Sequence, residues 1–387
     1  MIRIKDPKDC CGCTACASIC AHDAITMEPD ALGFLYPKVN ESKCVDCGLC
    51  EKVCQFNDNY DHSLNLIKPI AYAARHKDIN EIMRSRSGAA FVAISDYILE
   101  QGGVVYGAGY KGHFRVVHKR ATTKEERDEF RGSKYVQSDL TGVFRQVKED
   151  LKNGLKVLFS GTPCQTSGLN AFIGIKLRQN LFLVDIVCHG VPSPNVWYDN
   201  ICYIEKKYKQ TISSVDFRDK VRFGWASHKE SYQTETRLIT LNRFTDLFYE
   251  NIMLRNTCGV CPFTNLRRPS DITLADFWGW ENNAPSMNID NKGISLLLLN
   301  TEKGKFCFNY ICRDLCVKEV ELENCMQPNL KCPSFIHPMR MEFEKDYKDF
   351  GFEYVMGKYV KKGLICRLKK ECNKLMRKLV RLCHITL

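Results

Sequence analysis

From residue 70 onward the apolar positions keep switching between helical and strand spacing. Residues 89–100 recur at helical spacing behind Ser87-Gly88 and stop at Gly102-Gly103, which predicts a helix. Val104-Val105-Tyr106 then reads as a strand, residues 142–153 as a helix and 156–160 as a strand. The turn Gly161-Thr162-Pro163-Cys164 leads into another helical stretch. Residues 181–187 are almost wholly apolar, as in a strand covered on both faces, and end in Cys188-His189-Gly190-Val191-Pro192. Residues 211–300 are richer in strand signals, with 232–241 and 294–300 as candidates. Beyond about residue 335 aromatic and charged residues mix without a clear period. Such alternation predicts α/β units around a parallel or mixed sheet.

The first 57 residues have another texture. They hold nine of the 22 cysteines, set among small residues with few long apolar stretches. Cys10, Cys13, Cys16 and Cys20 recur 34 residues later as Cys44, Cys47, Cys50 and Cys54. Residues 58–69 are polar and read as a linker. The expected organisation is a small α+β cysteine domain (1–57), the linker, a mixed-sheet α/β body in two parts (70–150 and 151–335), and an extension (336–387).

At 44% hydrophobic, the chain can build a sizeable core, which excludes disorder on a large scale. The N-terminus has no apolar run of the secretory kind, and the best apolar run elsewhere, residues 294–299, is far short of a membrane span. The chain therefore reads as cytoplasmic, where thiols stay reduced, and metal binding takes precedence over disulfides.

The formal net charge is +11, but residues 358–387 carry ten Lys or Arg against one acid, Glu371, so +9 of it sits there. Leu364, Leu368, Cys372, Leu375, Leu379 and Leu382 fall on one helical face. Arg367, Lys370, Lys374, Arg377, Lys378 and Arg381 fall on the other. A basic amphipathic helix of this kind suits an anionic membrane surface, as at the inner face of a membrane; docking on protein is the competing reading. No nucleic acid is expected, because the charge is not joined to aromatics or a reading module.

Cys-x-x-Cys-x-x-Cys-x-x-x-Cys, present twice, is the ligand spacing of a two-cluster bacterial ferredoxin. The rule assigns Cys10, Cys13, Cys16 and Cys54 to one 4Fe-4S cluster and Cys44, Cys47, Cys50 and Cys20 to the other. The first 57 residues thus resemble a dicluster ferredoxin domain. The proline usual after each fourth cysteine is replaced by Ala21 and Gln55, which affects loop geometry rather than ligation. Cys11 falls outside the pattern and reads as a bystander. Structural zinc is the competing reading, but zinc sites rarely place three thiols within seven residues twice.

A second cysteine set lies in the body. Cys164 and Cys188 each follow a predicted strand, and Thr257-Cys258-Gly259-Val260-Cys261-Pro262 offers a Cys-x-x-Cys pair. If those strands are parallel, both single thiols sit at the carboxyl ends of the sheet, where open α/β folds bind ligands. Four thiolates suffice for a third cluster, although Cys164 and Cys188 could equally be buried core thiols.

Several segments carry a resemblance. Ser87-Gly88-Ala89-Ala90, Gly132-Ser133-Lys134-Tyr135-Val136-Gln137-Ser138 and Gly161-Thr162-Pro163-Cys164-Gln165 occur in that order. Cys188-His189-Gly190-Val191-Pro192-Ser193 and Asp271-Ile272-Thr273-Leu274-Ala275-Asp276-Phe277-Trp278-Gly279 follow. Over about residues 70–335 the chain resembles the coenzyme F420 hydrogenase/dehydrogenase beta-subunit family, which includes plant-type 7-hydroxymethyl chlorophyll a reductases and formate dehydrogenase subunits. The resemblance implies FAD beside a third 4Fe-4S cluster held by Cys164, Cys188, Cys258 and Cys261, fed by the ferredoxin domain. Ala89 and Ala275 stand where the family often has glycine, in loops expected near the flavin.

The flavin segments also have a direct reading. Ser87, Gly88 and Ala89 at a helix start present free N–H groups suited to a pyrophosphate; a plain N-cap is the competing reading. Ser133, Lys134, Gln137 and Asp276 are further candidates for flavin contact, with Lys134 able to pair with phosphate or an anionic reduced flavin. His189, beside a candidate ligand, is a candidate proton donor or a structural hydrogen-bonding residue. Phe277 and Trp278 could line the flavin face or pack in the core. No GxGxxG or P-loop is present.

The expected function is an iron–sulfur flavoprotein oxidoreductase, moving electrons between ferredoxin-type clusters and a two-electron substrate at FAD. The competing reading is an electron-relay subunit without its own substrate. Expected partners are a redox protein or a small electron acceptor, with F420 a candidate substrate by analogy.

Overall fold

The structure, a computed structural model, describes residues 1–56 and 60–360. The segment that would carry the basic amphipathic helix therefore lies outside the described residues beyond Val360. Among the described residues, no helix is long and apolar enough to cross a membrane.

The cysteine-rich N-terminal region pairs β1 (Ile25–Pro29) with β2 (Leu35–Val39) antiparallel. Two short helices, Ala15–Ile19 and Leu49–Lys52, pack on each other beside them. The core of this region is small, with Ile2, Cys16, Ile25 and Cys50 at its centre.

The body is built on eight strands. The first five are β3 (Asn65–His76), β4 (Val104–Lys111), β5 (Arg115–Ala121), β6 (Val157–Gly161) and β7 (Leu181–Ile186). A separate three-stranded sheet intervenes, made of β8 (Ile212–Asp216), β9 (Glu230–Thr234) and β10 (Leu238–Leu241). The last three are β11 (Ile272–Asp276), β12 (Ser295–Thr301) and β13 (Leu315–Val320). The order across the large sheet is β13-β3-β12-β11-β7-β6-β4-β5. β4, β6, β7 and β11 run parallel, and the remaining pairings are antiparallel, so the sheet is mixed.

The pleat sorts the central side chains into two layers. Val157, Phe159, Leu181 and Leu183 pack with Phe144, Val147, Leu169 and Phe172 of the helices Val143–Lys152 and Pro163–Ile173. Leu158, Phe182 and Val184 point the other way, onto Ala93, Ile94 and Phe308 of the helices Ala90–Leu99 and Glu302–Ile311. Covered on both faces, β7 and β12 are apolar nearly throughout, which explains their unbroken runs.

Three sequence expectations change. Residues 232–241 do not form one strand: the chain turns at residues 235–237, and Thr234 Oγ1 there accepts from the Arg237 amide at 3.2 Å. The segment read as linker ends early, because β3 begins at Asn65 and is held between β12 and β13. Residues beyond 335 contain the helix Arg340–Val355, broken at Gly351 (φ 77°), which accounts for the missing period in the sequence.

Candidate redox site

The two cysteine loops share a backbone design. Gly12 (φ 70°) and Thr14 (φ 67°) are left-handed, and 34 residues later so are Asp46 (φ 50°) and Gly48 (φ 72°). The Gly12 amide donates to Cys10 Sγ and the Asp46 amide to Cys44 Sγ, both at 3.4 Å. Ala24 donates to Cys20 Sγ at 3.4 Å and Ile2 to Cys50 Sγ at 3.2 Å. Amides aimed at sulfur are what a thiolate-ligated cluster needs. As thiolates, Cys10, Cys13, Cys16 and Cys54 would repel one another, so Cys54 joins the first loop although it is distant in sequence.

The parallel strands β6 and β7 deliver Cys164 and Cys188 to one edge. Cys164 lies on the first turn of the helix that follows β6, capped by Thr162 and Gln165. Cys188 directly follows the extended residue Val187, whose amide donates to Leu274 of β11 at 2.9 Å. The Cys258–Cys261 loop closes over them, tethered where Arg268 pairs with Asp185 of β7 at 2.9 Å. Cys164, Cys188, Cys258 and Cys261 line one small cavity together with Cys11, Phe56 and Arg255. Burial pushes the Cys258 thiol up to about 11, Cys261 to about 12 and Cys188 well above the ordinary thiol range, so assembling a thiolate-bound group here must release protons. Among the described residues no three or more His, Cys, Asp or Glu close around a single ion. Four cysteine thiols on the wall of one cavity are the donor set a 4Fe-4S cluster takes.

A larger cavity of about 500 Å³ lies on the other side of Cys188. Cys188, His189, Gly190 and Val191 line both spaces and form the wall between them. Of the flavin candidates, Ser87, Ala89, Ser133, Lys134 and Asp276 line the larger cavity, as do His189 and Trp278. The helix Ala90–Leu99 starts there from Ala89, held left-handed at φ 63°. Gly88 is set back: its amide donates to Ser295 Oγ at 3.0 Å and is not free for a ligand. Ser87 donates through Oγ to the Ile294 carbonyl at 2.6 Å.

Gln137 is the clear departure. Its side chain leaves the large cavity and bridges the two domains, donating to the Cys11 carbonyl at 2.8 Å and accepting from Arg255 at 2.9 Å. The cause is the backbone, pinned where the Gln137 amide donates to Pro192 O. Phe277 is core and fully buried, whereas Trp278 is 38% exposed and stacks on Trp225 with centroids 4.6 Å apart.

The large cavity is cationic. Arg86, Arg131, Lys134 and Arg218 line it against one carboxylate, Asp276. Arg218 pairs with Asp276 at 2.5 Å, and Arg131 pairs with Glu81 and Asp128. Arg86 donates to the carbonyls of Arg218 and Trp225, while its buried Nε has no partner among the described residues. Lys134 donates to the carbonyls of Glu129 and Arg131 at 2.5 and 3.0 Å, and burial lowers its ammonium to about 7. An orphaned guanidinium nitrogen beside a carbonyl-held lysine suits an anionic ligand. His189 donates from Nε2 to Asn251 Oδ1 at 2.7 Å, the Asn251 amide nitrogen being committed to the Phe335 carbonyl. Arg86 and Arg218 were not singled out in the sequence; Arg86 precedes the Ser87-Gly88 segment and could have been, while Arg218 lies in no motif.

Residues 9–57 match the 4Fe-4S dicluster domain, and residues 154–324 match the C terminus of the coenzyme F420 hydrogenase/dehydrogenase beta subunit. No curated protein matches the chain. Among solved structures, a chain from the F420-reducing [NiFe] hydrogenase complex of Methanosarcina barkeri is 17% identical, with 77% of this chain and 91% of that one covered and a TM-score of 0.47. The chain is thus similar to two known modules in sequence, a 4Fe-4S dicluster domain at its N-terminus and, over residues 154–324, the C terminus of the coenzyme F420 hydrogenase/dehydrogenase beta subunit.

Proposed function

We propose that the chain is a three-cluster flavoprotein: two 4Fe-4S clusters in the N-terminal domain, a third on Cys164, Cys188, Cys258 and Cys261, and FAD in the large cavity. The observation that carries this reading is the shared wall, since Cys188 to Val191 face both spaces and leave no intervening layer. Continuity on the other side comes from Cys11 and Phe56 of the N-terminal domain, which line the small cavity.

FAD, when bound, supplies the conversion between one-electron and two-electron chemistry. The chain's residues bind and orient it. Arg86 offers its unpartnered Nε to an anionic group, and Arg218, fixed by Asp276, adds a second guanidinium. Lys134 holds a positive charge on the wall that is lost as pH rises through about 7. Trp278, stacked on Trp225, carries the Arg218 guanidinium over its ring and helps hold that cation at the cavity wall. By the family, coenzyme F420 is the first two-electron partner to test, and companion subunits are the expected context.

The test is anaerobic purification with iron and flavin analysis. The expected result is about twelve irons and one FAD per chain, and Cys188→Ala should fall to about eight irons. Retention of about twelve irons in Cys188→Ala would remove the third cluster from this site. Turnover of reduced F420 or NAD(P)H by the chain alone separates an enzyme from a relay.

A further inference from the structure

Arg255 is fully buried at the junction of the two domains. Its Nε donates to the Cys10 carbonyl at 2.8 Å, one terminal nitrogen to Gln137 Oε1 at 2.9 Å and the other to the Leu35 carbonyl at 2.9 Å. The guanidinium stacks over the Tyr36 ring, 4.2 Å from its centroid. Its backbone belongs to the other side: the Arg255 amide donates to Val191 O, and Cys258 donates to Arg255 O at 3.0 Å. Every partner of the charged group is a neutral oxygen. Among the described residues no carboxylate pairs with it, in contrast to the buried Arg178 and Arg268, which pair with Asp271 and Asp185.

A buried guanidinium without an anion is strongly unfavourable, because it gives up its hydration for no opposite charge. Carbonyl dipoles soften that cost but do not neutralise the charge. Anions are nevertheless implied on both sides. The guanidinium is bonded to the backbone of Cys10 in one domain, and the residue lines the cavity of Cys164, Cys188, Cys258 and Cys261 in the other. A cluster held by four cysteines is a net anion, and becomes more negative when reduced.

We propose that Arg255 is the counter-cation shared by two iron–sulfur clusters, the one on Cys10, Cys13, Cys16 and Cys54 and the one on Cys164, Cys188, Cys258 and Cys261. It stabilises the reduced form of each and so raises both potentials, easing electron passage across the domain junction. The inference rests on the cluster assignment above. Arg255 is a positioning and electrostatic residue and coordinates no iron. Gln137 fixes its orientation and at the same time holds the Cys11 backbone.

The test is redox titration of the full chain, followed by electron paramagnetic resonance, with iron counted in each sample. Arg255→Met should move two cluster potentials to more negative values. The third, on Cys20, Cys44, Cys47 and Cys50, should stay in place, since the Cys44–Cys47 loop opens to solvent. Arg255→Lys should restore most of the shift. Gln137→Glu keeps size and sets a carboxylate beside the guanidinium; it should lower the same two potentials even where Arg255→Met fails to assemble. Unchanged potentials in Gln137→Glu with full iron, or equal shifts of all three clusters, would overturn the proposal. A wild-type count near eight irons would instead sink the third-cluster assignment, leaving only the Cys10 arm to read.

Discussion

Gly168 lies so close to Cys13 that a methyl group on its Cα would stand 2.7 Å from the Cys13 sulfur. The helix Pro163–Ile173 thus presents a notch against which the first cysteine loop seats. Gly168→Ala should cost about 1–3 kcal/mol by overpacking, even though alanine favours a helix. The loss should appear as a lower melting temperature together with depleted iron. A variant as stable as wild type with full iron would show that the loop has room to retreat.

Cys11 lines the third-cluster cavity but lies outside both ligand patterns. Cys11→Ala should therefore keep the full iron content that Cys188→Ala loses. A fall to about eight irons in Cys11→Ala would make it a ligand.

Lys134 gives opposite pH trends for binding and stability. Its folded pKa is lowered by burial to about 7 from the ordinary 10.5, so between those values the unfolded chain holds the extra proton. Stability of the flavin-free protein should thus rise with pH across that window, and Lys134→Met should flatten the slope. Affinity for the anionic flavin should run the other way, weakening as pH rises from 6 to 8. About tenfold corresponds to one pKa unit of ligand-induced shift. Equal affinity at both pH values, read by flavin fluorescence, would remove Lys134 from the site.

Arg268 ties the Cys258–Cys261 loop to β7 through Asp185, and both side chains are fully buried. Removing one partner leaves an uncompensated buried charge. Arg268→Met should destabilise by about 3–5 kcal/mol in denaturant unfolding, while Arg268→Met with Asp185→Leu should recover much of it. No recovery in the double variant would place the cost in the loop's packing instead.

Local chemistry was legible where spacing alone sets it. The 34-residue cysteine repeat, the glycine stops and the unbroken apolar run of β7 each report a short-range constraint, and each element stands where its residues placed it. Gln137 was misplaced because its direction depends on Pro192 and Arg255, which are far along the chain. Arg218 and Arg255 carry no local signature: a buried arginine is recognisable only once its partners have been brought together. The Gly351 break likewise hides a 16-residue helix from any periodicity count.

The cysteine domain is nearly two copies of one loop, and such an object could in principle dock either way round. Position 12 removes that ambiguity. A Cβ on Gly12 would meet the Arg255 guanidinium at 2.8 Å and the Leu35 carbonyl at 2.9 Å, and its repeat-mate is Asp46, whose side chain points into solvent. Only the half lacking a side chain there can face the body. One absent methyl group therefore acts as a polarity key, turning a pseudo-symmetric module into a directional one with an inner and an outer terminal.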